Sequence, residues 1–232
     1  MPLSSFAPFE SLAAALLPHT LPASAPGAVR DGAHDGAHLG RVWHNAFAIA
    51  ALEGGDRELI AASVLLHDCV AVEKNAPERA RASSLAASRA AEILGGLGWA
   101  MPRIAAVSHA IAAHSFSAGI PPETLEARIL QDADRLDAIG AIGVARCFYT
   151  AGRMGSRLYD PIDPRAAHRP FDDAAFALDH FRAKLLRLGD GFQTDAGRAM
   201  AAERMRRIAE FVTLFETEIG AFDREDSAAA AD

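Results

Sequence analysis

The chain has 232 residues, of which half are apolar and only 7% aromatic, and its 30 acidic against 23 basic side chains give a formal charge of −7. That length supports one well-buried core, the Ala- and Leu-rich apolar half suits packed helices better than aromatic and β-branched strands, and the class expected is all-α. The negative charge disfavours a partner gripped along an extended phosphate backbone, and no apolar run is long enough to span a bilayer.

The N-terminal stretch Ser11-Leu-Ala-Ala-Ala-Leu-Leu17 imitates a signal peptide only faintly, because no basic residue precedes Arg30 and Glu10 sits in the would-be basic region. Cys69 and Cys147 form no Cys-x-x-Cys pattern, which argues against a disulfide framework or a thiolate zinc site and fits a reducing cytoplasm. Residues 1–29 read as an N-terminal helix and irregular lead-in, 30–220 as the main domain and 221–232 as a frayed tail. Within the main domain, Val42, Ala46, Ile49 and Ala50 recur at helical spacing over 37–53, and Gly54-Gly55 supplies the stop. Asp56 is placed to cap a second helix, which runs through Leu59, Ile60, Val64, Leu65 and Leu66 to His67-Asp68. Because it is apolar on nearly every side, it should be buried.

A looser segment then leads to a helix over 78–95, and Pro102 opens another that runs to His114. Pro121-Pro122 is expected to start one long helix through Tyr149. Residues 152–170, rich in Gly, Pro and Asp, read as a loop long enough to carry function, and two helices, 172–187 and 195–220, close the domain.

His67 and Asp68, side by side at the end of an apolar helix, need partners, because burying an imidazole and a carboxylate alone is costly. His38 starts a helix whose inward face is Val42, Asn45 and Ile49, while Asp132 and Asp134 lie in an otherwise apolar stretch from Leu130 to Val144. Three separate helices thus each offer a nitrogen or oxygen ligand, the set expected for Mn, Fe, Ni, Co or Zn. Two His and two Asp leave coordination positions for water and substrate, as metal catalysis requires. Two residues along a helix are about 200° apart, so Asp132 and Asp134 cannot both reach one metal, and spacing alone does not choose between them.

Together the blocks Asp35-x-x-His38-x-x-Arg41-Val42, His67-Asp68 with Lys74-Asn75, His109-Ala-Ile-x-Ala-His114-Ser-Phe-Ser, Gln131-Asp-Ala-Asp-Arg-Leu-Asp137 and His168-Arg-Pro resemble the HD-domain phosphohydrolase superfamily, and within it the YedJ/YpgQ-like branch. The resemblance covers about residues 30–215. It implies an HD-domain helical bundle, a divalent metal of the Mn type (Ni, Co, Fe and Mg being alternatives), and hydrolysis of nucleoside triphosphates to monophosphate and pyrophosphate. Its Ala-Asp-Arg-Leu pattern aligns with Asp134, giving His38, His67, Asp68 and Asp134 as metal ligands. Asp132 is then left to pair with a nearby Arg or with a histidine behind the site.

His67, Asp68 and Lys74 are the expected catalytic residues. Lys74, Arg79 and Arg41 are the cations expected to meet substrate, because charge-assisted bonds favour phosphate oxygens. His109 and His114, about 140° apart around a helix, are expected near substrate or behind the ligands, with a purely structural role equally open. Some HD enzymes carry an acid three residues after the His-Asp pair; here that position is Ala71. The general acid or base is therefore unassigned. The partners expected are a small phosphate or nucleotide substrate, no extended nucleic acid and no membrane, with a homodimer as one option. Rival readings on the same metal core are a phosphomonoesterase, a cyclic-nucleotide phosphodiesterase and a nucleotide sensor without turnover.

Overall fold

The computed structural model describes residues 2–20, 36–70, 72, 81–115 and 118–220. Among these residues nine α-helices occur and no β-strand, so the all-α expectation holds. The chain divides into two compact units, Met1–Leu136 with Phe192–Gly197, and Asp137–Gly191 with Arg198–Asp232.

The first unit holds α1 (Glu10–Leu16), α2 (Gly36–Glu53), α3 (Arg57–Leu66), α4 (Ala82–Gly96), α5 (Met101–His114) and α6 (Leu125–Leu136). α2 ends at the glycine pair, as the sequence predicts. Asp56 caps α3, its Oδ1 accepting from the N–H groups of Glu58 at 3.0 Å and Leu59 at 3.1 Å. Arg103 reaches back to pair with Asp56 at 2.8 Å, and this bond holds the Asp56 carboxyl below the usual carboxylate range. Every residue of α3 from Ile60 to Leu66 is buried, which its all-round apolar sequence requires. α5 packs on both α4 and α6, and α6 also packs on α2 and α3. Near the N-terminus, Phe6 is fully buried and meets Trp43 of α2 edge-to-face at 4.9 Å.

The expected single helix from Pro121 through Tyr149 is two helices. The first opens at Leu125, where Thr124 Oγ1 accepts from Ala127 N–H at 3.2 Å, and it ends at Leu136. The next, α7 (Gly140–Met154), begins at a glycine with φ +72°, outside the helical region. Gly143 completes the break, because a Cβ there would run into the Ala138 carbonyl oxygen. The apolar periodicity continues across this turn, which is why the pattern alone reads as one helix.

The second unit contains α7, α8 (Ala177–Ala183), a 3-10 turn Leu185–Arg187 and most of α9 (Asp195–Glu218), whose first three residues belong to the first unit. Its core is an aromatic stack in which Phe148 and Phe215 lie 5.8 Å apart and Phe181 and Phe211 5.6 Å apart. The expected 172–187 helix is shorter, because residues 170–176 stay irregular. The loop after α7 is tied by Arg169, which pairs bidentately with the buried Asp179, reaches Asp160 at 3.0 Å and lies over the Phe176 ring. The Arg169 guanidinium thus holds the loop together, while His168 is exposed beside it. None of the described helices is long and apolar enough to cross a membrane.

Candidate metal centre

Four side chains from three helices and one turn converge in the first unit. His38 stands on the first turn of α2, His67 ends α3, Asp68 follows in the turn, and Asp134 lies in the last turn of α6. The Nε2 atoms of His38 and His67 are 3.3 Å apart. Asp134 Oδ1 lies 3.6 Å from the first and 3.9 Å from the second. Asp68 Oδ2 lies 3.4 Å from His67 Nε2 and 3.7 Å from His38 Nε2. His38, His67 and Asp134 each offer one ligand atom, all within 4.8 Å of one another.

The ring orientation of His67 follows from its backbone. Nδ1 lies 2.8 Å from the Val64 carbonyl, and a carbonyl can only accept, so the proton sits on Nδ1 and the Nε2 lone pair faces the cluster. Two carboxylates and an imidazole lone pair thus share one point, an arrangement complementary to a cation. Two nitrogen ligands, each about 2.1 Å from one cation and near a right angle, stand about 3 Å apart. The donor set fits a divalent metal, with nitrogen and oxygen ligands and no thiolate.

α6 is held in place over the three residues before Asp134. Gln131 Nε2 donates to the Ala113 carbonyl on α5 at 2.7 Å, and Asn45 Nδ2 of α2 donates to the Ala133 carbonyl at 3.0 Å. Between them, Asp132 points the other way. It accepts from the N–H groups of Gln193 and Thr194, each at 2.8 Å, and from Thr194 Oγ1 at 2.7 Å. Its hydrogen-bond partners are therefore the residues leading into α9, not the Arg or His expected, although the charge of Arg135 also acts on it. Burial pushes the Asp132 carboxyl up, and these hydrogen bonds oppose the push.

The two α5 histidines part company. His114 is buried beside the cluster, its ring 5.2 Å from that of His67 and its Nε2 4.0 Å from Asp68 Oδ1. Its Nδ1 lies 2.6 Å from the Ile111 carbonyl, so Nε2 is again the bare nitrogen. Burial, reinforced by His67, holds its pKa below the ordinary histidine value. His109 instead accepts from Glu123 N–H at 3.0 Å and steadies the turn into α6. Arg41 is half-buried on α2, one turn after His38, whereas Lys74 and Arg79 lie outside the described residues.

Next to the cluster is a cavity of about 60 Å³, whose lining includes His67, Asp68 and His114 together with Ala82, Ser83 and Ser115. The sequence offers no signal for Ser83 or Ser115, since serine at a helix end ordinarily reads as a capping residue.

An all-helical unit that gathers His from α2, His-Asp from the end of α3 and Asp from α6 around one cation-sized point defines a metal-dependent hydrolase of the HD class. The HD domain family matches residues 36–139. Over 199 residues the chain is 35% identical to YpgQ of Bacillus subtilis, covering 81% of this chain and 89% of that protein. A solved HD-superfamily hydrolase from Bacillus thuringiensis is 34% identical with a TM-score of 0.63, over 81% of this chain and 87% of the other. The structure of Bacillus subtilis YpgQ in complex with ADP is similar at 33% identity and TM-score 0.63, over 82% of this chain and 92% of that one. The chain belongs to the HD-domain superfamily of metal-dependent phosphohydrolases, on its YpgQ-like branch.

Proposed function

We propose that this phosphohydrolase is a nucleotide pyrophosphohydrolase. Water adds to the α-phosphorus of a (deoxy)nucleoside triphosphate, the bond from that phosphorus to the α–β bridging oxygen breaks, and monophosphate and pyrophosphate leave. The observation that carries the reading is the convergence of His38, His67, Asp68 and Asp134 beside a small polar cavity, in a chain whose relative YpgQ has been seen with ADP. These four residues would hold a divalent ion, Mn in this reading, which when bound would supply Lewis acidity and lower the pKa of water towards neutrality.

The chain's own residues do the rest. Val64 fixes His67 in the tautomer that offers Nε2. Asp68 stands at the boundary, one oxygen towards the cluster and the other towards His114, and its side chain is 38% exposed, so substrate can reach it. His114, with its proton committed to Ile111, presents an acceptor to the substrate side. Lys74 and Arg79, a few residues beyond the His67-Asp68 pair, hold the trailing polyphosphate, and Arg41 adds a cation near His38. Charge-assisted contacts of roughly 1.5–3 kcal/mol each favour a triphosphate over a monophosphate.

The test supplies Mn to the purified protein, offers dATP, dGTP and ATP against the corresponding monophosphates and a cyclic nucleotide, and follows pyrophosphate. Release of pyrophosphate with monophosphate is expected, and Lys74→Ala should slow triphosphate turnover without lowering metal content. Inorganic phosphate from monophosphates, or opening of the cyclic ester, with no pyrophosphate from any triphosphate, sinks this reading and leaves the phosphohydrolase class.

A further inference from the structure

Ser83, in the first turn of α4, is 3% exposed, and its Oγ has no hydrogen-bond partner. A buried hydroxyl with no partner is a standing cost, and native structures rarely leave one without a reason. Nearby serines solve the same problem in the ordinary way. Ser88 Oγ donates to the Ser84 carbonyl at 3.1 Å, and Ser108 Oγ to the Ala87 carbonyl at 3.4 Å. Ser83 does neither and instead lines the cavity shared with His67, Asp68 and His114.

The helix that carries it reinforces the point. α4 has 15 residues, Arg81 at its N-cap gives no side-chain hydrogen bond, and its first turn contains no acidic residue. The helix thus supplies no negative side chain from its own first turn to the positive end of its dipole, and it carries there a donor hydroxyl without an acceptor. The two features ask for the same thing, an anionic oxygen in the cavity. The size of the space is compatible with this. One water needs roughly 10–15 Å³, so about 60 Å³ takes roughly four to six waters, room enough for a phosphoryl group.

We propose that Ser83 and the N-terminal turn of α4 form a phosphoryl-oxygen subsite beside the metal centre, with Ser83 Oγ–H donating to a non-bridging oxygen of the substrate. The proposal rests on the phosphohydrolase class and not on the choice of a triphosphate. It places a phosphoryl group between α4 and the His67-Asp68 turn.

The experiment compares Mn-loaded parent protein with Ser83→Ala by calorimetric titration of inorganic pyrophosphate, with inorganic phosphate in parallel, alongside metal content and thermal melting. Loss of one hydrogen bond to a charged oxygen should weaken pyrophosphate binding about tenfold or more. Metal content should be unchanged and the melting temperature equal or higher, because alanine removes an unsatisfied group. A structural hydroxyl gives the opposite pattern, a lower melting temperature with the pyrophosphate constant within about twofold of the parent. That pattern, or a parent that binds neither anion, overturns the proposal. Should the parent bind pyrophosphate yet hydrolyse no phosphate ester or anhydride, the functional reading fails by itself, while the two binding constants still decide Ser83.

Discussion

Asp132 and Asp134 are two residues apart on α6 and serve opposite sides of it, one meeting the start of α9 and the other the two imidazoles. Asp132 is fully buried, and its three donors, the Gln193 and Thr194 N–H groups and the Thr194 hydroxyl, are satisfied by it. Asp132→Ala would leave them facing a small void, so we expect a loss of about 3 kcal/mol in urea denaturation, near the upper end for unsatisfied buried donors. The free cysteines behave differently. Burial pushes both Cys69 and Cys147 up to about 11, and their Sγ atoms face the Ala86 and Ala177 carbonyls. They are packing residues, as a sequence without paired cysteines leads one to expect.

At the scale of elements, glycine decides where helices begin and how closely they approach. Gly143 faces the Ala138 carbonyl with no room for a Cβ, and at Gly197 a Cβ would strike the Asp132 carboxylate and Thr194 Oγ1. Gly152, in the last turn of α7, has nothing within 4 Å of where its Cβ would be. Opposite outcomes are therefore expected from one substitution. Gly143→Ala should destabilise by about 1–3 kcal/mol, since backbone must shift to admit the methyl. Gly152→Ala should be neutral or stabilise by up to roughly 1 kcal/mol, the helix-propensity gain of alanine. Urea midpoints for the two variants check both signs, and a harmless Gly143→Ala would mean that the turn between α6 and α7 is not held by that close approach.

For the whole molecule, the candidate metal centre would also act as a stability device once a cation is bound. Its carboxylates and imidazoles come from positions as far apart in sequence as 38 and 134, so a cation bound to all of them binds only the folded first unit. At a free Mn concentration of about 100 times Kd, this linkage is worth roughly 2.7 kcal/mol, equivalent to some 5–10 °C in melting temperature for a chain of this size. We expect a rise of that order on adding Mn, its reversal by chelator, and its absence in His67→Ala. An equal rise in His67→Ala would place the metal elsewhere.

Most of this architecture is legible in the amino-acid sequence because it is local. The ends of α2, α3 and α5 follow from Gly54-Gly55, the Asp56 cap and Pro102, and the burial of α3 follows from its uninterrupted apolar face. His38, His67-Asp68 and the Asp132/Asp134 pair are visible too, since ionisable groups inside apolar stretches stand out, whereas the choice of Asp134 over Asp132 comes from the family resemblance. Other features depend on what lies far away in the chain, and no periodicity encodes them. The turn that parts α6 from α7 rests on the close approach of Gly143 to a carbonyl. Asp132 acquires its role only when residues 193 and 194 arrive, some sixty positions later. His114 comes to the cluster while His109 turns to Glu123, and Ser83 becomes an unpaired donor only through the cavity around it. Helix propensity and capping are settled within a few residues, whereas a partner for a buried polar group is settled by packing, and only the tertiary structure determines which groups find one.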